Sequence, residues 1–326
     1  MNLLDKFAAV EIKADNRISE SDRQFCQRRQ EAYDKAGERL RAIANLMKEM
    51  EEEQKSILGN DEWRIYGFTY DSGHSVTSDD AIHAIHHRHK SFITGIVAHF
   101  SRTYSVKLDA YEICEHIIPK EPARPDHYHF GWRTLTDEEI EKARIESDAY
   151  AEKLAAYNDT ITNLSLRYEA VVDEVFAQLG GFSFTEKALN ELKEKCYSAV
   201  HHHDWRTNGE VEDFEIKKDT LQLTRYSCHF DPGWSTPRWS ITDETKRILD
   251  AIAHYEYGNF DYGSRAFSGL FEWNIETNFF QYSWMEKMRS VKLFKNGRVD
   301  IKFASAAAVN EFVNNYLRVK VEVPND

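Results

Sequence analysis

Asp204, Glu215 and Lys217 are the nearest this chain comes to a catalytic signature. A carboxylate and a lysine two residues apart on a strand lie on one face. Metal-assisted phosphodiester hydrolysis uses such a Glu-x-Lys pair, with an upstream Asp completing a Mg²⁺ site. Glu215-Ile216-Lys217 has that spacing and Asp204 is the upstream carboxylate in reach, so a divalent metal would be the cofactor. Plain alternation along an exposed strand produces the same triplet. A second group is histidine-rich. His83 and His87 are four apart on an expected helix, so both imidazoles face one side. His127 and His129, in Pro-Asp-His-Tyr-His, can add ligands from a returning loop, and the four are candidate metal ligands. His201, His202 and His203 form an internal run expected to end a helix, where cations suit the dipole.

A third group is basic. Lys292, Lys295, Arg298 and Lys302, with Lys287 and Arg289 just before, outnumber Glu286 and Asp300. In an acidic chain that excess is local, and it is the candidate nucleic-acid contact. Residues 226–284 are unusually aromatic, with Trp234, Trp239, Trp273 and Trp284 among many Phe and Tyr. That density fits a sheet-and-helix core or a surface on which bases stack. No GxxxxGK[ST], GxGxxG, GxSxG or HExxH motif occurs, so no organic cofactor is expected.

The elements that carry these groups are clearer than the chemistry. In 136–180 the residues Ile140, Ala143, Ser147, Tyr150, Leu154, Tyr157, Ile161, Leu164, Tyr168, Val171 and Val175 step by threes and fours. That period predicts one long helix with a coiled-coil seam. Ala36, Leu40, Ile43, Met47, Met50 and Ile57 repeat the step in 18–58, the partner of matching length. The expected fold is α+β: a long antiparallel helical hairpin, an inserted small α/β head and a C-terminal mixed α+β domain. Its parts are 1–16, a first helix at 17–59, the head at 60–135, a second long helix at 136–180 and the C-terminal domain at 181–326. The head should hold a strand at 63–70 and a helix from Ser78. Thr185 and Thr242 should cap C-terminal helices. Residues 291–303 should form a hairpin whose three-residue loop, 295–297, pairs Leu293 with Val299 and Val291 with Ile301. A two-residue turn would bury Asp300 and Lys302 instead. A last strand is expected at 319–323.

Composition sets the outer bounds. The formal charge is −13, and 136–180 holds eleven Asp/Glu against four Lys/Arg. This disfavours a protein whose whole surface binds nucleic acid, and leaves room for a local basic patch or an acidic imitation of DNA. Four scattered cysteines in no CxxC spacing indicate reduced thiols in a cytoplasmic protein. No secretory leader is read at the start and no membrane partner is expected.

The C-terminal part resembles a family of uncharacterised proteins carried by bacterial plasmids, prophages and integrative elements. The matching residues are 204–208 (DWRTN), against a Tyr-Lys-Thr-Asn-like turn, and 294–303 (FKNGRVDIKF), against a Phe-Lys-Asn-Gly-Asn turn with its strand. Arg298 stands where the family has Asn. The resemblance covers about 185–320, and some family members are joined to DNA methyltransferase domains, which implies a setting in DNA modification or defence. It carries no catalytic residues. The leading expectation is a non-enzymatic protein that binds a protein or nucleic-acid partner, with its seam completed within one chain or between two copies. The alternatives are a metal-dependent nuclease using Asp204, Glu215 and Lys217, and an acidic DNA-mimic inhibitor.

Overall fold

The computed structural model describes residues 17–59, 76–125, 137–205, 208–224, 226–233, 238–272 and 274–321. The architecture is α+β. The chain divides into two units, 1–101 with 108–181 and 102–107 with 182–326.

In the first unit α1 (Glu20–Leu58) is one unbroken 39-residue helix. Ser19 caps it, its hydroxyl accepting the Asp22 N–H at 3.2 Å. A helix this long is held by packing rather than propensity, and its partner is α2 (Ser78–Tyr104). His99 meets Asp22 at 2.7 Å, Tyr33 meets His89, and Glu51 accepts the Ser78 N–H. One number falls as the other rises, so the arms are antiparallel. The long hairpin is therefore present, with its second arm drawn from within 60–135. The strand expected at 63–70 and the metal candidates His127 and His129 lie outside the described residues. Two arginines interlock the arms reciprocally. The Arg88 guanidinium lies over the Tyr33 ring and against Gly37, where a Cβ would meet its Nη1 at 1.5 Å. Arg29 lies against Gly95 from the other side, where a Cβ would meet its Nη1 at 2.7 Å.

The rod expected over 136–180 is two helices, α4 (Asp137–Asn163) and α5 (Tyr168–Gln178), preceded by the short α3 (Ala110–Ile117). Ile161 and Tyr168, one heptad apart, are buried on either side of the break, so the heptad spacing passes over it, while Leu166 rather than Leu164 is buried between them. The helix stops because side chains of α1 and α2 take over its backbone groups. Gln30 donates to the Leu166 carbonyl at 3.0 Å and accepts the Tyr168 N–H at 2.8 Å. The Leu166 N–H donates to the Tyr33 hydroxyl at 3.1 Å. Tyr33 Oη lies 2.7 Å from His89 Nδ1, and His89 Nε2 lies 3.0 Å from the Ile161 carbonyl. A carbonyl only accepts, so Nε2 carries the proton, and Tyr33 donates to Nδ1. The second rod still runs antiparallel to α1 where they meet, from Gln30 at Tyr168 to the Arg17–Asp173 ion pair.

Gln30, Tyr33 and His89 are all buried. Burial, above all, pushes the His89 imidazole down to about 4, which keeps it neutral. Gln30→Ala orphans the Leu166 carbonyl and the Tyr168 N–H, and should cost about 3 kcal/mol in a denaturant titration at neutral pH. His89 binds its proton near pH 6.5 in the unfolded chain and only near 4 in the folded one. Stability should therefore be complete above 6.5 and fall with pH between 6.5 and 4, by up to roughly 3 kcal/mol. His89→Gln should flatten that slope.

The second unit is built on the antiparallel sheet β3-β4-β9-β8-β7. Its strands are β3 (Phe214–Lys217), β4 (Thr220–Leu223), β7 (Phe279–Gln281), β8 (Met288–Leu293) and β9 (Val299–Phe303). The hairpin adopts the three-residue loop: Leu293 pairs with Val299 and Val291 with Ile301. Gly297 sits at φ +85°, left-handed, and its N–H closes the turn on the Phe294 carbonyl. Leu221, Leu223, Val291, Val299 and Ile301 thus share one face, fully buried. Helices α6 (Phe184–Val200), α7 (Asp243–Tyr257) and α9 (Ala306–Phe312) contribute to that core through Val200, Ile248, Leu249, Ile252 and Phe312. Ser183, not Thr185, caps α6, sharing a capping box with Glu186. Thr242 caps α7 as expected. Two further strand pairs flank the sheet, β1 (His201–Asp204) with β2 (Gly209–Glu212) and β5 (Cys228–Asp231) with β6 (Arg238–Ile241). Residues 319–321 form no strand.

Candidate functional site

The register places two polar rows on the open face of the sheet. Glu215, Gln222, Asp300, Lys292 and Phe279 form one row. Lys217, Thr220, Lys302, Ser290 and Gln281 form the next. Glu215 and Lys217 are neighbours, as their spacing requires, and spend their charges on each other at 3.2 Å with both side chains more than half exposed. Asp204 closes β1, whose only strand partner among the described residues is β2, so it belongs to a different sheet. The structure joins two of the three candidate catalytic residues as a surface ion pair and holds the third on another hairpin. His83 and His87 are exposed on α2, and the Ser91 hydroxyl lies 3.3 Å from His87 Nδ1. Among the described residues no three His, Cys, Asp or Glu are grouped to hold a metal.

The basic candidates divide in two. Arg298 pairs with Asp300 at 3.0 Å and Lys302 with Asp219 at 3.6 Å. Lys292 and Lys295 instead lie over aromatic rings, Phe294 and Phe230, at 5.1 and 4.7 Å. Neither ammonium is paired with a carboxylate among the described residues.

A groove opens beside β7 at the edge of this sheet, with a volume of about 390 Å³. Its walls are Tyr257, Tyr262, Phe280, Tyr282 and Trp284, with Arg265 among them. Local backbone chemistry builds it. Gly258, left-handed at φ +70°, ends α7 and turns the chain. The Asp250 carboxylate on α7 then accepts the Gly263 N–H, fixing the start of α8 (Gly263–Ala266), which carries Arg265. The approach is close enough that a Cβ at Gly263 would meet Asp250 Oδ1 at 1.9 Å. Burial, then repulsion from Asp261, lifts Asp250 to about 6. Tyr257 and Tyr262 meet edge to face at 5.3 Å, as do Tyr282 and Trp284 at 5.4 Å. Trp284 and Tyr257 both line the rim. Trp284 remains 65% exposed, far more than a core tryptophan such as Trp239 at 6%. The groove thus offers ring faces for stacking and one guanidinium for an anion. Aromatic density pointed to this region in the sequence; nothing there singled out Arg265.

The histidine run ends α6 as expected, His201 standing at its C-terminal cap with its N–H donating to the Tyr197 carbonyl, and then continues as β1. His202 Nδ1 lies 2.7 Å from Asp213 Oδ2, on the wall of a cleft of about 380 Å³ shared with Ser227, Thr242 and Glu244. Exposed Tyr226 stands at this cleft in the left-handed region, φ +49°. A scan of protein-family models, a search of curated proteins and a search of solved structures each find no match to this chain.

A non-glycine residue in the left-handed region costs about 1 kcal/mol, and Asn tolerates it best. Tyr226→Asn should therefore raise the unfolding free energy by several tenths to about 1 kcal/mol, read from the denaturation midpoint.

Proposed function

We propose that this chain is a non-enzymatic binding protein whose C-terminal unit takes up single-stranded nucleic acid. The exposed aromatic groove around Trp284, with Arg265 set in its wall, is the observation that carries this reading. Stacking on aromatic faces holds unpaired bases with little regard to sequence, and arginine supplies the phosphate contact. Phe279, half exposed, stands on β7 directly across from Lys292. A strand leaving the groove would cross a ring and an uncommitted ammonium on the open face of the sheet. The acidity of the chain as a whole keeps the contact local.

No described helix is long and apolar enough to cross a membrane. A cytoplasmic location, which rests on the four unpaired cysteines, and a place in a bacterial mobile element engaged in DNA modification or defence, which rests on the likeness at 204–208 and 294–303, belong to the same proposal. The nuclease alternative has less support, because Glu215 is already neutralised by Lys217. The DNA-mimic alternative meets a similar difficulty on α4, where Arg144 pairs with Glu141 and Asp148.

Fluorescence anisotropy with a labelled oligothymidylate should show saturable binding that weakens with salt. Trp284→Ala should loosen it about 5- to 100-fold, the range that one stacked base represents. Duplex DNA of equal length should bind more weakly. Equal binding by wild type, Trp284→Ala and Arg265→Ala would discard the reading, and binding to a host protein through the same groove would replace it. Mg²⁺-dependent cleavage lost in Glu215→Ala would instead favour the nuclease.

A further inference from the structure

We propose that the first unit holds a small amphipathic anion, an apolar chain or ring system ending in a carboxylate or sulfonate, in a groove between α2 and α3. The groove has a volume of about 590 Å³, the size of a small-molecule site rather than a packing defect. His86, Lys90 and Thr94 step by four along α2 and form one wall. Ala110, Cys114 and Ile118 repeat that step along α3 and just past its end, and make the apolar floor. Pro119 extends the floor. Tyr157 of α4 closes one end, its hydroxyl 3.4 Å from His86 Nδ1.

The charges around this floor are unequal in what they are free to do. Glu115 is met by Lys120 at 4.0 Å and by the Tyr111 hydroxyl. Glu121 stands at the closed end, near enough to His86 and Tyr157 to act on both electrostatically. Lys90, midway along the wall, makes no hydrogen bond or ion pair with any described residue, and its field reaches Cys114 on the floor. An anionic head therefore belongs at Lys90 and Thr94, away from Glu121. The apolar body then lies over Cys114, Ile118 and Pro119, under the exposed Tyr111 ring. A cationic head would face Lys90 and is disfavoured.

The test uses the full chain and the fluorescent arylsulfonate 8-anilinonaphthalene-1-sulfonate. Its emission should rise saturably with one site per chain, and decanoate should displace it where decylamine does not. Lys90→Glu, at an exposed position, should weaken both ligands at least tenfold without moving the thermal melt. Cys114→Phe fills the floor and should abolish binding; if that variant fails to fold, Thr94→Phe on the exposed wall serves in its place. Unchanged affinity in Lys90→Glu, competition by decylamine equal to that by decanoate, or no saturable site at all would each overturn the proposal.

Discussion

A peptide group taken out of water must be paired, and in the first unit this demand is concentrated at one place. The chain passes from α4 to α5 with Ile161, Leu166 and Tyr168 buried between more exposed neighbours. The Leu166 carbonyl and the Leu166 and Tyr168 N–H groups are left without helical partners, and the Ile161 carbonyl, which already accepts the Leu164 N–H, meets a second group. Gln30, Tyr33 and His89 provide these contacts from two other helices. Each buried group left unpaired would cost about 1–3 kcal/mol, comparable to a large share of a domain's net stability. The same contacts fix the position of α4 against α2. Tyr157 lies one turn before Ile161, so the relay also decides where the wall of the α2–α3 groove stands.

The second unit obeys a different constraint, alternation. With side chains switching sides at every residue, one face of the five-stranded sheet is dry and the other wet. Placing Val291, Leu293, Val299 and Ile301 inward forces Lys292, Asp300 and Lys302 outward. The open face is thus a by-product of core formation, available for contacts but not evolved by the core for any one of them. The aromatic groove is more particular. It depends on a turn after Gly258 and on a carboxylate, Asp250, kept in a place that raises its own proton affinity.

Legibility in the sequence tracked how local the determining interaction is. The 295–297 loop could be read in advance because burial of four neighbouring side chains admits a single register. Helix caps were legible to within a residue or two, with Thr242 placed correctly and Ser183 taking the role expected of Thr185. The break at 164–167 was not legible. Its cause lies over a hundred residues away in Gln30 and Tyr33, and the heptad pattern is blind to whether the backbone between Ile161 and Tyr168 is helical. Spacing found Glu215 and Lys217 correctly as neighbours, but could not say that they would satisfy each other. Aromatic counting found the neighbourhood of the groove without separating buried Trp239 from exposed Trp284.

The reciprocal seating of Arg29 on Gly95 and Arg88 on Gly37 has a bearing on how such a hairpin drifts over generations. Each guanidinium, the far end of a flexible side chain, would have to shift if the bare spot opposite gained a Cβ, and each bare spot is useful only while that guanidinium is there. Four positions therefore behave as two linked pairs. In descendants of this fold a side chain appearing at 37 should travel with a shortened 88, and one at 95 with a shortened 29, leaving a paired record of substitutions that betrays the alignment of the two arms.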